Sequence, residues 1–257
     1  MFPMVDIHSH ILPGLDDGAK TLEESVEMLK MAAAAGTTDI VATPHANSEF
    51  AFQPDLIQQK LAELTAAVGD SIRIYTGCDF HLQYENIQDA LEHPTKYTIN
   101  HKNYLLVEFS DLIIFNTTGD IFYQLRNAGM VPVVTHPERN WLLQKRFEAI
   151  SEWVAEGACL QITGQSFLGR FGRSAKEYAE KLMKAGLVHF IASDAHGARD
   201  RTPELRLAFD YVVNKYGRAR AEQLFVSNPR AAVEGEPLPS PELTEHSGPR
   251  KWYQFWG

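Results

Sequence analysis

The sequence of 257 residues predicts an α/β fold in which seven parallel strands alternate with helices. Seven short apolar or β-branched runs are separated by longer segments with helical periodicity, and this alternation is typical of repeated βα units. The runs are almost continuously hydrophobic, so we expect the strands to be covered on both faces. Single α/β barrels commonly have this length, and closure is more economical than an open seven-stranded sheet. A doubly wound open sheet is the alternative.

Each predicted strand is short and is bounded by turn or helix signals. The seven runs are MVDIH (4–8), TDIVAT (38–43), IRIYTG (72–77), YLLVEF (104–109), VPVVTH (131–136), ACLQIT (158–163) and VHFIAS (188–193). The clearest helix is TLEESVEMLKMAAAAG (21–36), in which Thr21 and Glu24 have the spacing of a capping box. Gly36 is placed to end this helix.

Residues 1–235 are expected to form a single domain, because no linker-like segment interrupts the alternation of strands and helices. From residue 236 onward, the segment EPLPSPELTEHSGPRK is rich in proline and polar residues. Residues 236–257 are therefore predicted to be a tail, either extended or docked. The tail ends in RKWYQFWG, which places basic residues beside four aromatic ones. We expect these residues to dock on the domain itself; docking on a partner or on a membrane surface is the alternative.

The overall charge argues against a general nucleic-acid binder. Lys and Arg number 24 against 33 Asp and Glu, which gives a formal net charge of -9 with neutral histidines. Nucleic-acid-binding proteins usually carry a basic field, although a local basic pocket for a phosphate is compatible with this balance. Cys78 and Cys159 are too few for a disulfide framework and indicate free thiols in a reducing cytoplasm. Neither a secretion signal nor a membrane span is expected.

Metal-capable side chains stand at the carboxyl ends of six of the seven predicted strands. They are His8 and His10 (first strand), His45 (second), Asp79 (third), Glu108 (fourth), His136 (fifth), and Asp194 and His196 (seventh). In a parallel βα array these ends share one edge, where active sites form. Each residue alone has a structural explanation as a turn, a cap or a hydrogen-bonded polar residue. Six independent turns have no reason to share this chemistry, so the joint pattern favours a metal site.

His8 and His10 are two residues apart, and on a strand such residues point to the same face. Both are therefore expected to reach one ion. Imidazole and carboxylate ligands without thiolate suit Mn²⁺, Fe²⁺ or Zn²⁺ better than a structural zinc site. There are more candidate ligands than one ion can bind, so we expect two or three divalent ions. A carboxylate such as that of Asp79 is expected to bridge two of them. In HSHILPGLDDG, Asp16 and Asp17 are both candidates on the residues alone.

Phosphate esters are the substrates expected to profit most from such a concentration of positive charge. Arg139 lies three residues beyond His136, and Arg201 lies five beyond His196. A guanidinium offers paired donors that match phosphate oxygens, although a surface salt bridge is the alternative for each arginine. The sequence has no Cys-x5-Arg phosphate loop. The expected mechanism is therefore direct hydrolysis by a metal-bound hydroxide, while ions and arginines hold the phosphoryl oxygens.

Five motifs, in order along the chain, carry a resemblance to a known family. They are DIHSHILPGLDDGAKTLEESVEM (6–28), VATPH (41–45), HPERN (136–140), QITGQSFLGRFG (161–172) and ASDAH (192–196). The chain resembles the PHP (polymerase and histidinol phosphatase) superfamily over residues from about 4 to about 230. Within that superfamily it is similar to the bacterial manganese-dependent protein-tyrosine phosphatases of capsule biosynthesis, the CpsB/CapC type.

The resemblance implies a distorted (β/α)7 TIM-like barrel, the PHP fold, with a trinuclear centre that takes Mn²⁺, or alternatively Fe²⁺ or Zn²⁺. It implies one ion held by His8, His10, Asp79 and Asp194, a second by Asp79, Glu108 and His136, and a third by Asp17, His45 and His196. Asp17 is preferred to Asp16 because the family motif places its acid directly before the glycine. Arg139 and Arg201 match family arginines implicated in phosphate binding, and catalysis is expected to depend on them and on Asp194.

The implied substrate is phosphotyrosine, typically on the tyrosine-rich tail of a bacterial tyrosine autokinase that controls capsular or exopolysaccharide synthesis. One alternative is a small-molecule phosphatase of the histidinol-phosphate type, and another is a non-catalytic scaffold that binds the kinase. An exonuclease is disfavoured by the acidic charge and by the lack of a basic and aromatic strip. A scaffold predicts a lost ligand, whereas every expected position keeps a metal-capable side chain. The oligomeric state is left open.

The chain departs from the family pattern at one motif. Where relatives have Glu and Arg in G-x-E-I-R, this chain has Asp79 and His81. Because aspartate is one methylene shorter than glutamate, a bridge between two ions is expected to need a small backbone shift or looser binding of one metal. His81 in place of arginine is expected to alter the charge of the pocket.

Overall fold

The computed structural model of the chain describes residues 3–239, and nine strands occur in that range. The strands are β1 (Met4–Ser9), β2 (Thr37–Ala42), β3 (His45–Ala46), β4 (Arg73–Thr76), β5 (Asp79–His81), β6 (Tyr104–Glu108), β7 (Val131–Thr135), β8 (Cys159–Thr163) and β9 (Phe190–Ala192). Their pairings are parallel and form two sheets, in the orders β1-β2-β4 and β3-β5-β6-β7-β8-β9. The predicted α/β class with parallel strands is confirmed.

Helices separate most of the strands along the chain, as the βα alternation predicts. They are α1 (Leu22–Ala35), α2 (Pro54–Val68), α3 (Tyr84–Glu92), α4 (Thr118–Asn127), α5 (Phe147–Ala155), α6 (Gly164–Phe167), α7 (Gly172–Lys184), α8 (Arg206–Tyr216), α9 (Arg218–Glu222) and α10 (Asn228–Glu234). A π-helical turn, Gln223–Ser227, joins α9 to α10. After β9 the described chain continues through α8, α9, this turn and α10.

Helix α1 begins and ends at the residues that the sequence predicts. The Thr21 hydroxyl accepts a hydrogen bond from the Glu24 N–H at 3.3 Å, and Gly36 ends the helix with a φ of 102°. The capping box differs from its usual form in one respect. The Glu24 carboxylate accepts from the N–H of Lys20, at 2.9 Å, one residue earlier than the expected donor.

Each of the seven predicted runs contains a strand, and the two additional strands continue two of these runs. β2 stops at Ala42 and the chain resumes as β3 beyond Pro44, which has no N–H to donate to a ladder. β4 stops at Thr76 and resumes as β5 beyond Gly77. Hydrogen bonds from Gly77 N to Ala42 O (2.9 Å) and from Asp79 N to Pro44 O (3.2 Å) span both interruptions. The seven segments therefore stay adjacent although the ladder is divided between two sheets.

The first and last strands meet at their carboxyl ends. Ser9 and Ala195 form an isolated parallel bridge. The Asp194 N–H donates to the His8 carbonyl at 2.9 Å, and the His10 N–H donates to the Ala195 carbonyl at 2.8 Å. These bonds place the candidate ligands of β1 beside those that follow β9.

The core alternates along a strand with the period of two that a pleated backbone imposes. In β6, Leu105 and Val107 pack in one cluster with Phe122 of α4, whereas Leu106 packs in another with Ile7 of β1. All five side chains are fully buried. Full burial of each such side chain stabilises the fold by about 1.5–3 kcal/mol relative to exposure. β6 is therefore covered on both faces, as its continuous hydrophobicity predicts.

After α10 the chain lies against the amino end of β6. The Tyr104 hydroxyl donates to the Glu236 carbonyl at 2.8 Å, and Leu238 packs against the cluster that contains Ile7. The first residues of the predicted tail, 236–239, are thus docked on the domain. Residues 240–257, including RKWYQFWG, lie outside the described residues. None of the helices in the described range is long and apolar enough to cross a lipid bilayer.

Candidate metal centre

The carboxyl ends of the strands bring all nine predicted metal ligands into one cluster. They are His8 on β1, His10 just after it, Asp17 in the β1–α1 loop, His45 on β3, Asp79 on β5, Glu108 at the end of β6, His136 directly after β7, and Asp194 and His196 after β9. Neighbouring nitrogen and oxygen atoms in the cluster are 3.3–3.8 Å apart. Parallel topology causes this convergence, because it directs the same end of every strand to one rim.

Four groups of these side chains place potential ligand atoms within 4.8 Å of one another. The groups are His10, Asp17, His45 and His196; His8, His136 and Asp194; His8, His10 and Asp79; and His45, Asp79 and Glu108. The first group contains the three residues that the resemblance assigns to a third ion. The group of His8, His10 and Asp79 lies within the set assigned to the first ion. The other two groups differ from the assignment, since Glu108 lies with His45, and His136 lies with His8 and Asp194. His136 Nε2 is 3.8 Å from Glu108 Oε1.

His8 and His10 are buried together at the end of β1. Their Nε2 atoms are 3.3 Å apart, and the two residues are 0% and 1% exposed. Burial alone would lower the pKa of His8, but Asp79 and Asp194, 3.4 and 3.5 Å from its Nε2, raise that pKa to about 9. Burial and the nearby His196 lower the pKa of His10 to about 4. A histidine binds a metal ion in its neutral form, so a cation bound beside Asp79 and Asp194 would take the place of the proton that these carboxylates favour on His8.

Two buried atoms within the cluster have no hydrogen-bond partner, Asp79 Oδ2 and His45 Nδ1. They face each other at 3.4 Å. A buried carboxylate oxygen without a partner is costly, and a cation between these atoms would satisfy both. Nitrogen and oxygen donors without thiolate match Mn²⁺, Fe²⁺ or Zn²⁺. The residues present therefore fit divalent ions.

Asp17 lies on the solvent side of the cluster. Its Oδ1 is 3.4 Å from the Nε2 atom of His196 and 3.4 Å from that of His45, and its side chain is 52% exposed. Hydrogen bonds from the His196 and His45 rings hold the pKa of the Asp17 carboxyl well below its usual range. Solvent therefore reaches the centre beside an ionised carboxylate.

Asp16 contacts the back of His10, a role that the sequence did not assign to it. Asp16 Oδ2 lies 2.7 Å from His10 Nδ1 and accepts from the His45 N–H at 3.1 Å, while Oδ1 accepts from the Gly18 N–H at 2.9 Å. A carboxylate in this position sets the tautomer of a ligating histidine. Both acids are present in the motif DDG (16–18), but the family motif assigned a role only to Asp17.

Gln161 of β8 supports His8 in the same way. Its Oε1 lies 3.0 Å from His8 Nδ1, and both residues are fully buried. β8 is the one predicted strand without a metal-capable residue at its end. A glutamine is not a typical metal ligand, so its contact with His8 can be recognised only from the folded structure.

Arg139 and Arg201 converge on Asp194. Both guanidiniums contact its Oδ2, Arg201 through Nη2 at 2.5 Å. Burial would raise the pKa of Asp194, but Arg139 above all holds it well below its usual range. Phe171 packs on Arg139, with the guanidinium carbon 4.4 Å from the ring centroid. Each guanidinium has five N–H donors, so donors remain for an anion at the edge of the metal cluster.

Three residues of the site have a left-handed backbone conformation, which is uncommon outside glycine. The φ angle is 34° at His136, 51° at Asp194 and 49° at Arg201. Such a conformation costs about 1–3 kcal/mol per residue and persists where the surroundings enforce it. Hydrogen bonds from His136 N to Gln161 O (2.9 Å) and from His196 N to Arg201 O (2.8 Å) hold two of these turns. Strain concentrated at such residues is typical of a functional site.

Glu138 anchors the loop that carries Arg139. Its fully buried carboxylate accepts from the Thr163 N–H at 3.0 Å and from the Ser166 hydroxyl at 2.6 Å. Burial raises the pKa of Glu138 to about 7. These contacts attach the Arg139 loop to the end of β8, and sequence reasoning missed them because neither partner carries a charge.

The two cysteines are buried free thiols, as the sequence predicts. Burial raises the pKa of Cys159 to about 12 and the pKa of Cys78 well above its usual range. The thiolate is the nucleophilic form of cysteine, and neither residue forms it near neutral pH. Neither cysteine is therefore suited to act as the nucleophile of a phosphate hydrolysis.

A family model described as capsular polysaccharide synthesis, CpsB/CapC, matches residues 4–234. CapC of Staphylococcus aureus is 32% identical over 256 residues, which are 97% of this chain and 99% of that protein. The tyrosine-protein phosphatase YwqE of Bacillus subtilis is 32% identical over 216 residues, 82% of this chain and 84% of that protein. The tyrosine-protein phosphatase CpsB of Streptococcus pneumoniae is 30% identical over 242 residues, 90% of this chain and 98% of that protein.

Comparison with solved structures finds one that is similar in sequence and fold and others that are similar in fold alone. One solved structure comes from a study of YwqE of Bacillus subtilis and CpsB of Streptococcus pneumoniae, which are described as unique metal-dependent tyrosine phosphatases. It has a TM-score of 0.84 and 29% identity over 91% of this chain and 96% of that chain. A phosphotriesterase homology protein from Escherichia coli, 11% identical with a TM-score of 0.56 over 88% of this chain and 97% of that chain, shares the fold alone. The family predicted from the five motifs is confirmed, and the chain belongs to the CpsB/CapC family of capsular polysaccharide synthesis.

Proposed function

We propose that this protein is a metal-dependent phosphatase that hydrolyses phosphotyrosine in proteins. The observation that carries the proposal is the convergence of nine metal-capable side chains with two arginines at one rim of the fold. Two relatives, YwqE and CpsB, are named tyrosine-protein phosphatases, and a closely similar structure is described as metal-dependent. Hydrolysis of a phosphoric monoester is a reaction that such a cluster suits.

The proposed cofactors are two or three divalent ions, with Mn²⁺ as the first candidate. His8, His10, Asp79 and Asp194 would hold one ion, Asp79, Glu108 and His136 a second, and Asp17, His45 and His196 a third. Asp79 Oδ2 is buried without a hydrogen-bond partner, and this supports the place of Asp79 in two of these sets. When bound, such ions activate a water molecule and neutralise charge on the phosphoryl group.

Arg139 and Arg201 are proposed to bind the phosphoryl oxygens. Both contact Asp194 Oδ2, and the oxygens of a phosphate dianion compete for the same donors. Phe171 packs on the Arg139 guanidinium, and the buried Glu138 holds the adjacent backbone. Arg139 is therefore in place before the substrate arrives. Preorganised cations of this kind stabilise charge that develops in the transition state.

We further infer that the seven strand segments form one closed, distorted (β/α)7 barrel and that residues 1–235 are one domain. The bridge between Ser9 and Ala195 supports closure between the first and last strands. The hydrogen bond from Gly77 to Ala42 supports continuity between the two sheets. The cluster shared by β1 and β6, which are not neighbours in either sheet, supports an enclosed interior.

The proposed protein substrate is a bacterial tyrosine autokinase with a phosphorylated, tyrosine-rich tail. Membership of a family of capsular polysaccharide synthesis supports this context. The free thiols of Cys78 and Cys159 support a location in the reducing cytoplasm.

Hydrolysis of a phosphotyrosyl peptide in the presence of Mn²⁺ tests the proposal. Asp194→Ala and Arg139→Ala are each expected to lower kcat/KM at least about 100-fold, because each removes a charge placed at the reacting group. The matched controls are Asp210→Ala and Arg206→Ala, which break an exposed ion pair of 2.8 Å on α8. These two variants should keep wild-type kinetics.

Full activity in both site variants would contradict the assignment of these residues. A parallel panel of histidinol phosphate and sugar phosphates tests the substrate class. Faster hydrolysis of histidinol phosphate than of every phosphotyrosyl peptide would favour a small-molecule phosphatase. No turnover of any monoester with Mn²⁺, Fe²⁺ or Zn²⁺ would favour a kinase-binding scaffold.

A further inference from the structure

An apolar cavity of about 210 Å³ lies beside the metal centre. Six of its lining residues are aliphatic or aromatic, namely Leu82, Tyr84, Phe109, Ile113, Ile114 and Phe115. No Asp, Glu, Lys or Arg occurs among the described residues that line it. An apolar cavity of about 150 Å³ holds benzene in another protein. This cavity therefore has room for one branched aliphatic or aromatic side chain.

The rim of the cavity exposes large apolar side chains to solvent. Tyr84 is 71% exposed, Ile113 57% and Phe115 44%, and the adjacent Leu112 is 90% exposed. A single exposed apolar residue needs no explanation. A contiguous group of them around a cavity is typical of a binding surface.

The cavity begins where two ligand-bearing strands end. Leu82 follows β5, three residues after Asp79, and its N–H donates to the Glu108 carbonyl at 3.1 Å. Phe109 directly follows Glu108 at the end of β6. Three residues of extended chain span about 10 Å, and a bound extended peptide covers the same distance in about three residues. A polypeptide whose phosphate lies at the centre therefore reaches the cavity within a few residues.

The loop that forms one wall of the cavity is bonded to the loop that carries Arg139. Asn140 Nδ2 donates to the Ser110 carbonyl at 3.0 Å. Trp141 Nε1 donates to the Asp111 carbonyl at 3.1 Å. The cavity wall and the candidate phosphate ligand thus form one connected unit, so the distance between them is set before any substrate binds.

We propose that this cavity binds an apolar side chain that lies close in sequence to the phosphotyrosine of the substrate polypeptide. The proposal rests on the phosphatase function proposed above. A small phosphate ester leaves the cavity unused, whereas a polypeptide places one side chain in it while the phosphate lies at Arg139. A charged side chain is disfavoured, because it would lose hydration among Leu82, Phe109 and Ile114. The remaining lining residues in the described range, His81, Gln83 and Ser110, include no Asp, Glu, Lys or Arg that could pair with its charge.

A set of phosphotyrosyl peptides measures this preference. Each peptide has a glycine and serine background with one leucine, placed at successive positions from three before to three after the phosphotyrosine. With the wild-type chain loaded with Mn²⁺, kcat/KM for the best leucine position is expected to exceed that of the all-polar peptide about tenfold. Ile113→Ser and Tyr84→Ser should bring this ratio close to one. Tyr123→Ser, which alters a 59% exposed tyrosine on α4 outside the cavity, should keep it.

The proposal is overturned if wild type hydrolyses every leucine peptide at the rate of the polar peptide. It is also overturned if Ile113→Ser lowers hydrolysis of p-nitrophenyl phosphate as much as that of the best peptide, because the cavity would then hold the tyrosyl ring or support the centre. A lower molecular mass of Ile113→Ser by light scattering, with an unchanged peptide ratio, would assign this surface to contact between copies. Absence of any hydrolysis by wild type would remove the phosphatase function and this subsite together.

Discussion

His10 Nδ1 lies 2.7 Å from the Asp16 carboxylate, so its Nε2 faces the cluster, 3.3 Å from Nε2 of His8. A carboxylate behind a ligating histidine orients the ring and raises its basicity. Asp16→Asn is therefore expected to weaken binding of Mn²⁺ about 10–100-fold. Metal content after equilibrium dialysis at graded free Mn²⁺ measures the affinity. Asp70→Asn, which changes an exposed acid after α2, is the control, and equal affinity in both variants would deny Asp16 this role.

Gly18 has no room for a side chain. A Cβ at this position would overlap the carbonyl oxygen and the Cβ of His10. Gly18→Ala is expected to displace His10, lower the free energy of unfolding by about 2–3 kcal/mol and weaken binding of Mn²⁺. Thermal denaturation with and without Mn²⁺ measures both effects. Gly119→Ala is the control, because the nearest atom to its new Cβ is 3.8 Å away. The prediction is contradicted if the Gly18→Ala variant is as stable as this control.

Asp39 is fully buried at one end of β2 and accepts two hydrogen bonds each from Arg73 and Arg230, at 2.6–2.8 Å. Burial alone would raise the pKa of Asp39, but Arg230 and Arg73 hold it well below its usual range. A carboxyl whose pKa is lower in the folded state stabilises the fold above its unfolded pKa of about 3.9. Asp39→Asn is expected to lower the free energy of unfolding by about 2 kcal/mol at pH 7.

This stabilisation is lost as the pH falls, so the difference between wild type and Asp39→Asn should shrink below about pH 4. Urea unfolding at a series of pH values measures it. Asp210→Asn breaks the exposed pair with Arg206 and is expected to cost less than about 0.5 kcal/mol at any pH. A difference for Asp39→Asn that stays constant down to pH 2 would show that the ionised carboxylate is not the stabilising form.

Phe171 packs on the Arg139 guanidinium with 4.4 Å between the guanidinium carbon and the ring centroid. Such a contact contributes about 0.5–1 kcal/mol, so Phe171→Leu is expected to raise KM for a phosphotyrosyl peptide about two- to fivefold. Steady-state kinetics measures this change. Phe147→Leu removes a similar contact with Lys181, 3.9 Å from that ring, which involves neither candidate arginine nor any candidate metal ligand. KM should stay unchanged in this variant. Equal KM values in the two variants would contradict a supporting role for Phe171.

The strands were predictable from the sequence because each is a hydrophobic run between helical segments. YLLVEF contains β6, and its two buried faces follow from its continuous hydrophobicity. The interruption of β2 falls at Pro44, a residue that the sequence shows, whereas the interruption of β4 depends on neighbouring strands and was not predictable. The position of a Cβ on Gly77 would be 3.1 Å from Val41 Cγ1 of β2, so glycine there reflects contact between strands rather than a local turn.

Convergence of the ligands at one rim was predictable because parallel topology leaves one place for the strand ends. How the ligands group was not, since groups differ by tenths of an ångström that side-chain rotamers decide. Glu108 Oε2 is 3.3 Å from His45 Nδ1, while Glu108 Oε1 is 3.8 Å from His136 Nε2. The role of Gln161 was equally hidden, because an amide becomes a support for His8 only through the fold.

The hydrogen bond between Asp194 and the His8 backbone has a consequence for how the protein is made. His8 lies on β1, so it leaves the ribosome before Asp194, which follows β9, the last strand in the described range. A nascent chain that ends before β9 therefore carries His8 and His10 without Asp194 and His196. If His8, His136 and Asp194 hold an ion as their grouping suggests, that site is complete only when the last strand has joined the first.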